Sequence, residues 1–184
     1  MDTTEVMTRT KWSIDPMQSE ISFKVEHLLM TNMMGVFEEF DAGIYTTGED
    51  FMAIEINLRI NVASLNTGDP KRDEHLKSAA FFDVENHKQV TFSGNTLQNT
   101  SKYGSYDLYG ELTIKGLTQQ IKLEVEFEAA KKHVGEFEKA GFSAKGKINP
   151  EEWGLNMNNV LEAGDILLSN AVRINCEIEL IKES

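Results

Sequence analysis

Apolar and polar residues alternate along most of this chain, which is the period of half-buried antiparallel strands. From Ile54 the apolar side chains fall on even positions, Ile54, Ile56, Leu58, Ile60 and Val62, with Glu55, Asn57, Arg59 and Asn61 between them. The pattern recurs in Leu108, Gly110, Leu112 and Ile114, then in Ile121, Leu123, Val125 and Phe127. It returns in Val172, Ile174, Cys176, Ile178 and Leu180. Shorter versions occur at Ile21, Phe23 and Val25, at Val90 and Phe92, and at Phe142, Ala144 and Ile148. Between Gly35 and Tyr45 the alternation falters, which predicts a bulge or bend. Eight strands are expected, over 11–26, 35–47, 52–64, 88–98, 105–115, 119–129, 139–149 and 170–182.

Short links with turn chemistry join them: Thr-Gly-Glu-Asp at 47–50, Lys-Tyr-Gly-Ser at 102–105 and Lys-Gly at 115–116. Tight sequential hairpins imply up-and-down order, and long strands with one apolar face lose their exposed edges best by closing. Two stretches interrupt the alternation. Asn66 to Ala80 reads as a short helix with Asp69 as N-cap and Pro70 in the first turn, followed by an extended piece Phe81 to Val84. Positions 150–169 read as an irregular loop or short helical turn. The predicted fold is all-β: an eight-stranded antiparallel up-and-down barrel, with one short helix between the third and fourth strands. It forms a single domain over 11–184, after a disordered tail over 1–10.

A barrel of this size is either filled by its own side chains or holds one slender ligand. Gly94, Gly110, Ala144 and Gly146 face inward by parity and leave space there. Phe23, Phe37, Phe40, Phe92, Phe127 and Phe142 would wall an apolar tunnel. The competing reading is a solid core with the glycines at barrel bends.

Composition narrows the function. Eighteen basic against thirty acidic residues give a formal charge of −12. That balance argues against nucleic-acid binding and disfavours docking on an anionic membrane through a polybasic face. One cysteine, Cys176, excludes an intrachain disulfide and a multi-cysteine metal site; inward by parity, it is expected to be an inert thiol. No apolar run reaches the roughly 18 residues of a membrane span. The acidic N-terminus lacks a basic signal-peptide region, so a cytoplasmic protein is expected. His27 lies near Met30, Met33 and Met34, a set that offers soft copper(I) ligands but is more simply adaptable packing. Asp73 and His75, with Arg72, form either an acid–base group or a solvated helix face; no nucleophile motif accompanies them. No catalytic residue, metal or cofactor is assigned.

The order of motifs is specific. WSIDPMQSEISFKVEHLL at 12–29, GVFEEFDAGI at 35–44, ASLNTGDPKRDEHLKSAAFFDVENHKQVTFSG at 63–94, GELTIKGLTQQIKL at 110–123 and GFSAKGKINPEEWGLN at 141–156 follow one another. Together they resemble the YceI-like family of lipocalin-fold polyisoprenoid-binding proteins. The pattern matches at Asp15, Ser19, Phe23, His27, Gly35, Phe37, Arg72, Asp73, His75, Leu76, Phe81 and Phe82. The resemblance implies an eight-stranded antiparallel barrel with an elongated apolar cavity that accepts a long isoprenoid chain, no established enzymatic activity, and relatives that are often periplasmic or secreted. Two departures stand out: Asn149-Pro150 where the family has an arginine, and Lys88 where it has a proline.

The resemblance and the inward parity together make Phe23, Val25, His27, Met34, Phe37, Phe40, Leu58, Arg72, Asp73, Leu76, Phe81, Phe92, Leu112, Phe127, Phe142 and Ile174 the candidate ligand-contacting set. The expected function is non-catalytic sequestration or transport of a long isoprenoid-like lipid. The alternatives are an enzyme acting on such a lipid near the barrel mouth, and a ligand-free interaction barrel with a second copy of the chain as a possible homodimer partner.

Overall fold

A computed structural model of the chain describes residues 9–27, 33–48, 53–127, 139–156 and 167–183, without the side chains of 26–27 and 167–170. The strands in chain order are β1 (Arg9–Ile14), β2 (Glu20–His27), β3 (Met33–Phe37), β4 (Phe40–Thr47), β5 (Ile54–Asn61) and β6 (Leu65–Asn66). They continue with β7 (Gln89–Asn99), β8 (Ser105–Ile114), β9 (Leu117–Phe127), β10 (Lys139–Ile148) and β11 (Leu167–Lys182). One helix, α1 (Pro70–Lys77), lies between β6 and β7, and 3-10 turns occupy Val62–Ser64 and Pro150–Trp153.

Eleven strands reduce to eight staves. β1 and β2 are two halves of one bent strand, as are β3 and β4, while β6 is a two-residue addition beside β3. Every pairing is antiparallel, and β11 closes the barrel by pairing with β2 through its first half and with β1 through its second. The bend between β1 and β2 has identifiable causes. Asp15 accepts a hydrogen bond from the Met17 amide at 3.0 Å, and Ser19 Oγ accepts from the Glu179 amide of β11 at 2.9 Å. The second bend falls at Glu38 and Glu39, inside the stretch of faltering alternation.

Turn chemistry matches the residues supplied. Lys115 and Gly116 both adopt positive φ, 51° and 76°, joining β8 to β9 with the twist that a two-residue hairpin needs. Asp69 caps α1, accepting from the Lys71 and Arg72 amides, with Pro70 in the first turn. Asn149 does the same for the turn Pro150–Trp153, accepting from the Glu151 amide at 3.1 Å. The departure from the family pattern at Asn149-Pro150 is therefore a cap. Lys88 lends its carbonyl to the Val62 amide.

Three expectations need correction. Phe81 to Val84 is a chain of turns, because the Phe82 and Val84 amides bond back to Leu76 and Lys77. β1 begins at Arg9 with Thr10 buried, so positions 9 and 10 do not belong to a tail; positions 1–8 lie outside the described residues. β11 starts three residues before the expected 170. The predicted turn residues Glu49 and Asp50, the strand ends at 52 and 128–129, Met30 and positions 157–166 also lie outside the described residues.

The parity holds across the sheet. Ile56, Leu112, Leu123, Val125 and Ile178 are buried, while Glu55, Glu111, Lys122, Glu124 and Glu177 are exposed. β7 shifts register between Gly94 and Thr96, so its inward set passes from even to odd and Leu97 is buried opposite Leu108. No helix of the described residues is long and apolar enough to cross a membrane.

Candidate functional site

The interior divides into two halves along the barrel axis. One half is packed. Trp12, Ile44, Ile54, Ile56, Leu97, Leu108, Val125, Ile178 and Leu180 are buried there. The Trp12 indole N–H donates to Thr46 Oγ1 at 3.0 Å, which satisfies a buried donor at the centre. Beyond them, the rings of Tyr106, Phe127 and Phe142 meet with centroids under 6 Å apart: 5.8 Å for Tyr106–Phe127 and 5.7 Å for Phe127–Phe142.

The other half holds an apolar cavity. Eight strands contribute residues one or two turns of the pleat away from the packed end: Ile21, Phe23 and Val25; Met33 and Phe37; Leu58 and Ile60; Val90 and Phe92; Leu112 and Ile114; Ile121 and Leu123; Ile148; Val172, Ile174 and Cys176. Leu76 of α1, Phe81, Phe82, Pro150 and Leu155 complete the wall as an end cap. The space open to the centre of a water-sized sphere is about 140 Å³ and its wall is apolar. Water would need polar partners to stay in such a space, so the chemistry suits hydrocarbon. Leu58 and Ile174 face inward yet are only half-buried, because they look onto this cavity.

The cap is built from local sequence. Trp153 is buried, and its indole N–H donates to the Leu112 carbonyl at 2.9 Å, tying the 3-10 turn to β8. The ring of Phe82 stands edge-on to Phe81, centroids 4.8 Å apart, and Phe37 lies 6.3 Å from Phe82. Under α1, Asp73 Oδ1 accepts from the Thr67 amide at 2.9 Å and from Thr67 Oγ1 at 2.5 Å, and Arg72 Nε donates to Thr67 Oγ1 at 3.0 Å. This network pins the helix to the segment before it.

Nine of the sixteen candidate residues wall the cavity: Phe23, Val25, Phe37, Leu58, Leu76, Phe81, Phe92, Leu112 and Ile174. Phe127 and Phe142 belong to the aromatic stack of the packed end, and Phe40, opposite Ile60, packs half-buried against the core. Met34 points outward at 59% exposure, since its neighbours Met33 and Gly35 take the inward parity. Arg72 and Asp73 are held by Thr67 outside the cavity wall, and His75 is exposed on the outer side of α1. The His27 side chain lies outside the described residues. Ile21, Ile60, Val90, Ile114, Ile121, Leu123, Ile148, Val172 and Cys176 were missing from the set although their parity pointed inward. Met33, Phe82, Pro150 and Leu155 carried no periodic signal.

The glycines do not open the lumen as expected. A Cβ on Gly110 would sit 2.5 Å from Phe92 Cζ, one on Gly146 2.5 Å from Leu123 Cδ2, and one on Gly35 2.5 Å from Phe23 Cζ. Each is a seat for a large neighbour, which lets the ring or branch lie flat against the wall. Cys176 is buried on the cavity wall, and desolvation, with a smaller contribution from Glu177, pushes its thiol up to about 12. Among the described residues, no group of three His, Cys, Asp or Glu side chains could hold a metal ion.

Comparison with known proteins agrees with this architecture. A UPF0312 protein of Staphylococcus epidermidis is 32% identical over 171 residues, covering 92% of this chain and 96% of its own. Among solved structures, the YCEI protein of Campylobacter jejuni superposes with a TM-score of 0.67 at 25% identity, over 87% of this chain and 90% of its own. A polyisoprenoid binding domain from Saccharophagus degradans, implicated in plant cell wall breakdown, shares the fold with a TM-score of 0.70 at 15% identity, over 93% and 98%. The YceI-like domain matches residues 12–180, the span from the buried Trp12 to the closing strand, and the chain belongs to the YceI-like family.

Proposed function

We propose that this protein binds the chain of a long apolar, isoprenoid-like lipid in the cavity half of its barrel and carries or sequesters it without chemistry. The carrying observation is the cavity itself: an apolar wall drawn from nearly every stave, closed at one side by the packed half and capped at the other by α1 and Pro150–Leu155. Family membership and the polyisoprenoid-binding neighbour support the choice of ligand. Each methylene removed from water contributes about 0.8 kcal/mol, so affinity comes from chain length rather than from polar contacts. The binding reading is favoured over the enzyme alternative because Asp73, which accepts from Thr67, and His75 both stand off the cavity wall. A cytoplasmic site of action is part of the reading.

Titration with prenols of about ten to twenty carbons tests it, because buried methylenes add up. Affinity should climb steeply with each isoprene unit and then level off once the lumen is filled. Equal, weak affinity for all lengths would count against a chain in the lumen.

A further inference from the structure

The outer face of β10, β11 and β2 carries like charges in register. Lys147 lies directly opposite Arg173, and Arg173 directly opposite Lys24. Opposed like charges destabilise an antiparallel pair, and here they occur twice in a row in a chain of net charge −12. Two positions along, Lys145 faces Asn175, whose buried Oδ1 has no hydrogen-bond partner among the described residues. Lys122 of β9 joins the same outer groove, whose lining sets Lys24, Lys122, Lys145, Lys147 and Arg173 against Glu124, Glu152 and Glu177. Lys24, Lys122 and Lys147 form no ion pair with any described residue.

Charge then reverses along β11. Glu177 faces Glu20, and Glu179 follows. The cations therefore flank Val172 and Ile174 of the cavity wall, while Glu177 and Glu20 stand at the border between Cys176 and Ile21 of that wall and the packed half. Two further features sit on the basic end. Met34, 59% exposed, lies directly opposite Lys24. The pairing of β9 with β10 runs only from Phe142–Phe127 to Lys145–Glu124, and the groove above it shares Phe23, Ile121, Ile148 and Ile174 with the cavity wall.

We propose that this face docks on the anionic surface of a lipid bilayer, with the cavity end turned toward the membrane. The net charge repels such a surface from the molecule as a whole, but this groove holds five cations against three acids, so the repulsion of the rest orients the docked molecule. A row spanning three strands, roughly 10 Å, with an exposed methionine at its edge fits a sheet of many anions over an apolar interior better than one headgroup. Docking requires no ligand in the lumen, so its failure would leave the lipid-binding reading intact.

Co-sedimentation with vesicles tests it. The full chain should bind vesicles of phosphatidylcholine with about 30 mol % phosphatidylglycerol, and lose that binding in high salt, because exposed charges are screened. Pure phosphatidylcholine vesicles should recover about tenfold less. The double variant Lys24→Gln/Lys147→Gln should bind the anionic vesicles about tenfold more weakly while melting no lower than the wild type, since it removes opposed like charges. Lys102→Gln, at the other end of the barrel and paired with Glu126, should bind as the wild type does. Equal recovery of the wild type on neutral and anionic vesicles would overturn the proposal, whatever the stability of the variants. So would unchanged binding by the double variant, or binding of inorganic phosphate or an oligonucleotide at this face without binding to the anionic vesicles.

Discussion

Parity along the strands was legible residue by residue, because one alternating face is all that a half-buried strand requires. What each inward residue does was not legible, since parity cannot distinguish a side chain pressed on a neighbour from one facing a cavity. Gly110 shows the difference: its missing Cβ is occupied by Phe92 and, at 2.6 Å, by the Ser93 carbonyl oxygen. Gly110→Ala should therefore destabilise the protein by about 1–3 kcal/mol, since a backbone atom cannot step aside. Gly43→Ala, where only Tyr45 comes within 4 Å at 3.8 Å, should be neutral or stabilise by up to about 1 kcal/mol. Denaturant midpoints of the two variants check the contrast. Cys176 yields a pH prediction. Its thiol titrates near 9.0 when unfolded and is pushed up to about 12 in the fold, so above pH 9 the unfolded chain loses a proton that the folded one keeps. This contribution is fully present below pH 9 and is lost progressively from there toward pH 12, at up to about 1.4 kcal/mol per pH unit. Cys176→Ala should show a correspondingly shallower alkaline loss, and the native wild type should resist a thiol reagent until unfolded. Rapid labelling of the native protein would contradict the burial.

At the scale of elements, caps and turns followed from short-range chemistry and were readable: Asp69-Pro70 begins α1 and Lys115-Gly116 turns β8 into β9. Of the two bends, the one at Glu38–Glu39 was readable only as faltering alternation, and the one at Asp15–Ser19 falls inside a stretch expected as one continuous strand, 11–26. Their geometry depends on a distant partner, as when Ser19 meets the Glu179 amide 160 residues away. The turns at Phe81 to Val84 were missed for the same reason: two phenylalanines in a row look like a strand until the helix before them supplies carbonyls. α1 buries one apolar residue, Leu76, and relies on its cap and on the Thr67–Asp73 network to stay over the cavity. Asp69→Ala should cost about 1 kcal/mol, typical of a lost N-cap. Hydrogen exchange should quicken in α1 before it quickens in β8. Uniform quickening would mean that the helix is not a separable cap.

At the scale of the whole molecule, the sequence posed a choice between a tunnel and a solid core, and the barrel contains both, end to end. The packed half carries stability. Leu108→Ala should cost about 2–5 kcal/mol, as large-to-small changes in close-packed cores do. The cavity half should behave in the opposite way. Leu58→Trp extends a half-buried side chain into existing space, so it should shift the melting midpoint little while closing the lumen. Native mass spectrometry of the freshly purified wild type, beside Leu58→Trp, tests the account most directly. The wild type should carry an adduct that organic extraction releases as a lipid with a long apolar chain, and Leu58→Trp should fold and arrive bare. A wild type that carries no adduct and takes up no prenol on incubation, or a Leu58→Trp variant as fully loaded as the wild type, would contradict a chain-binding lumen.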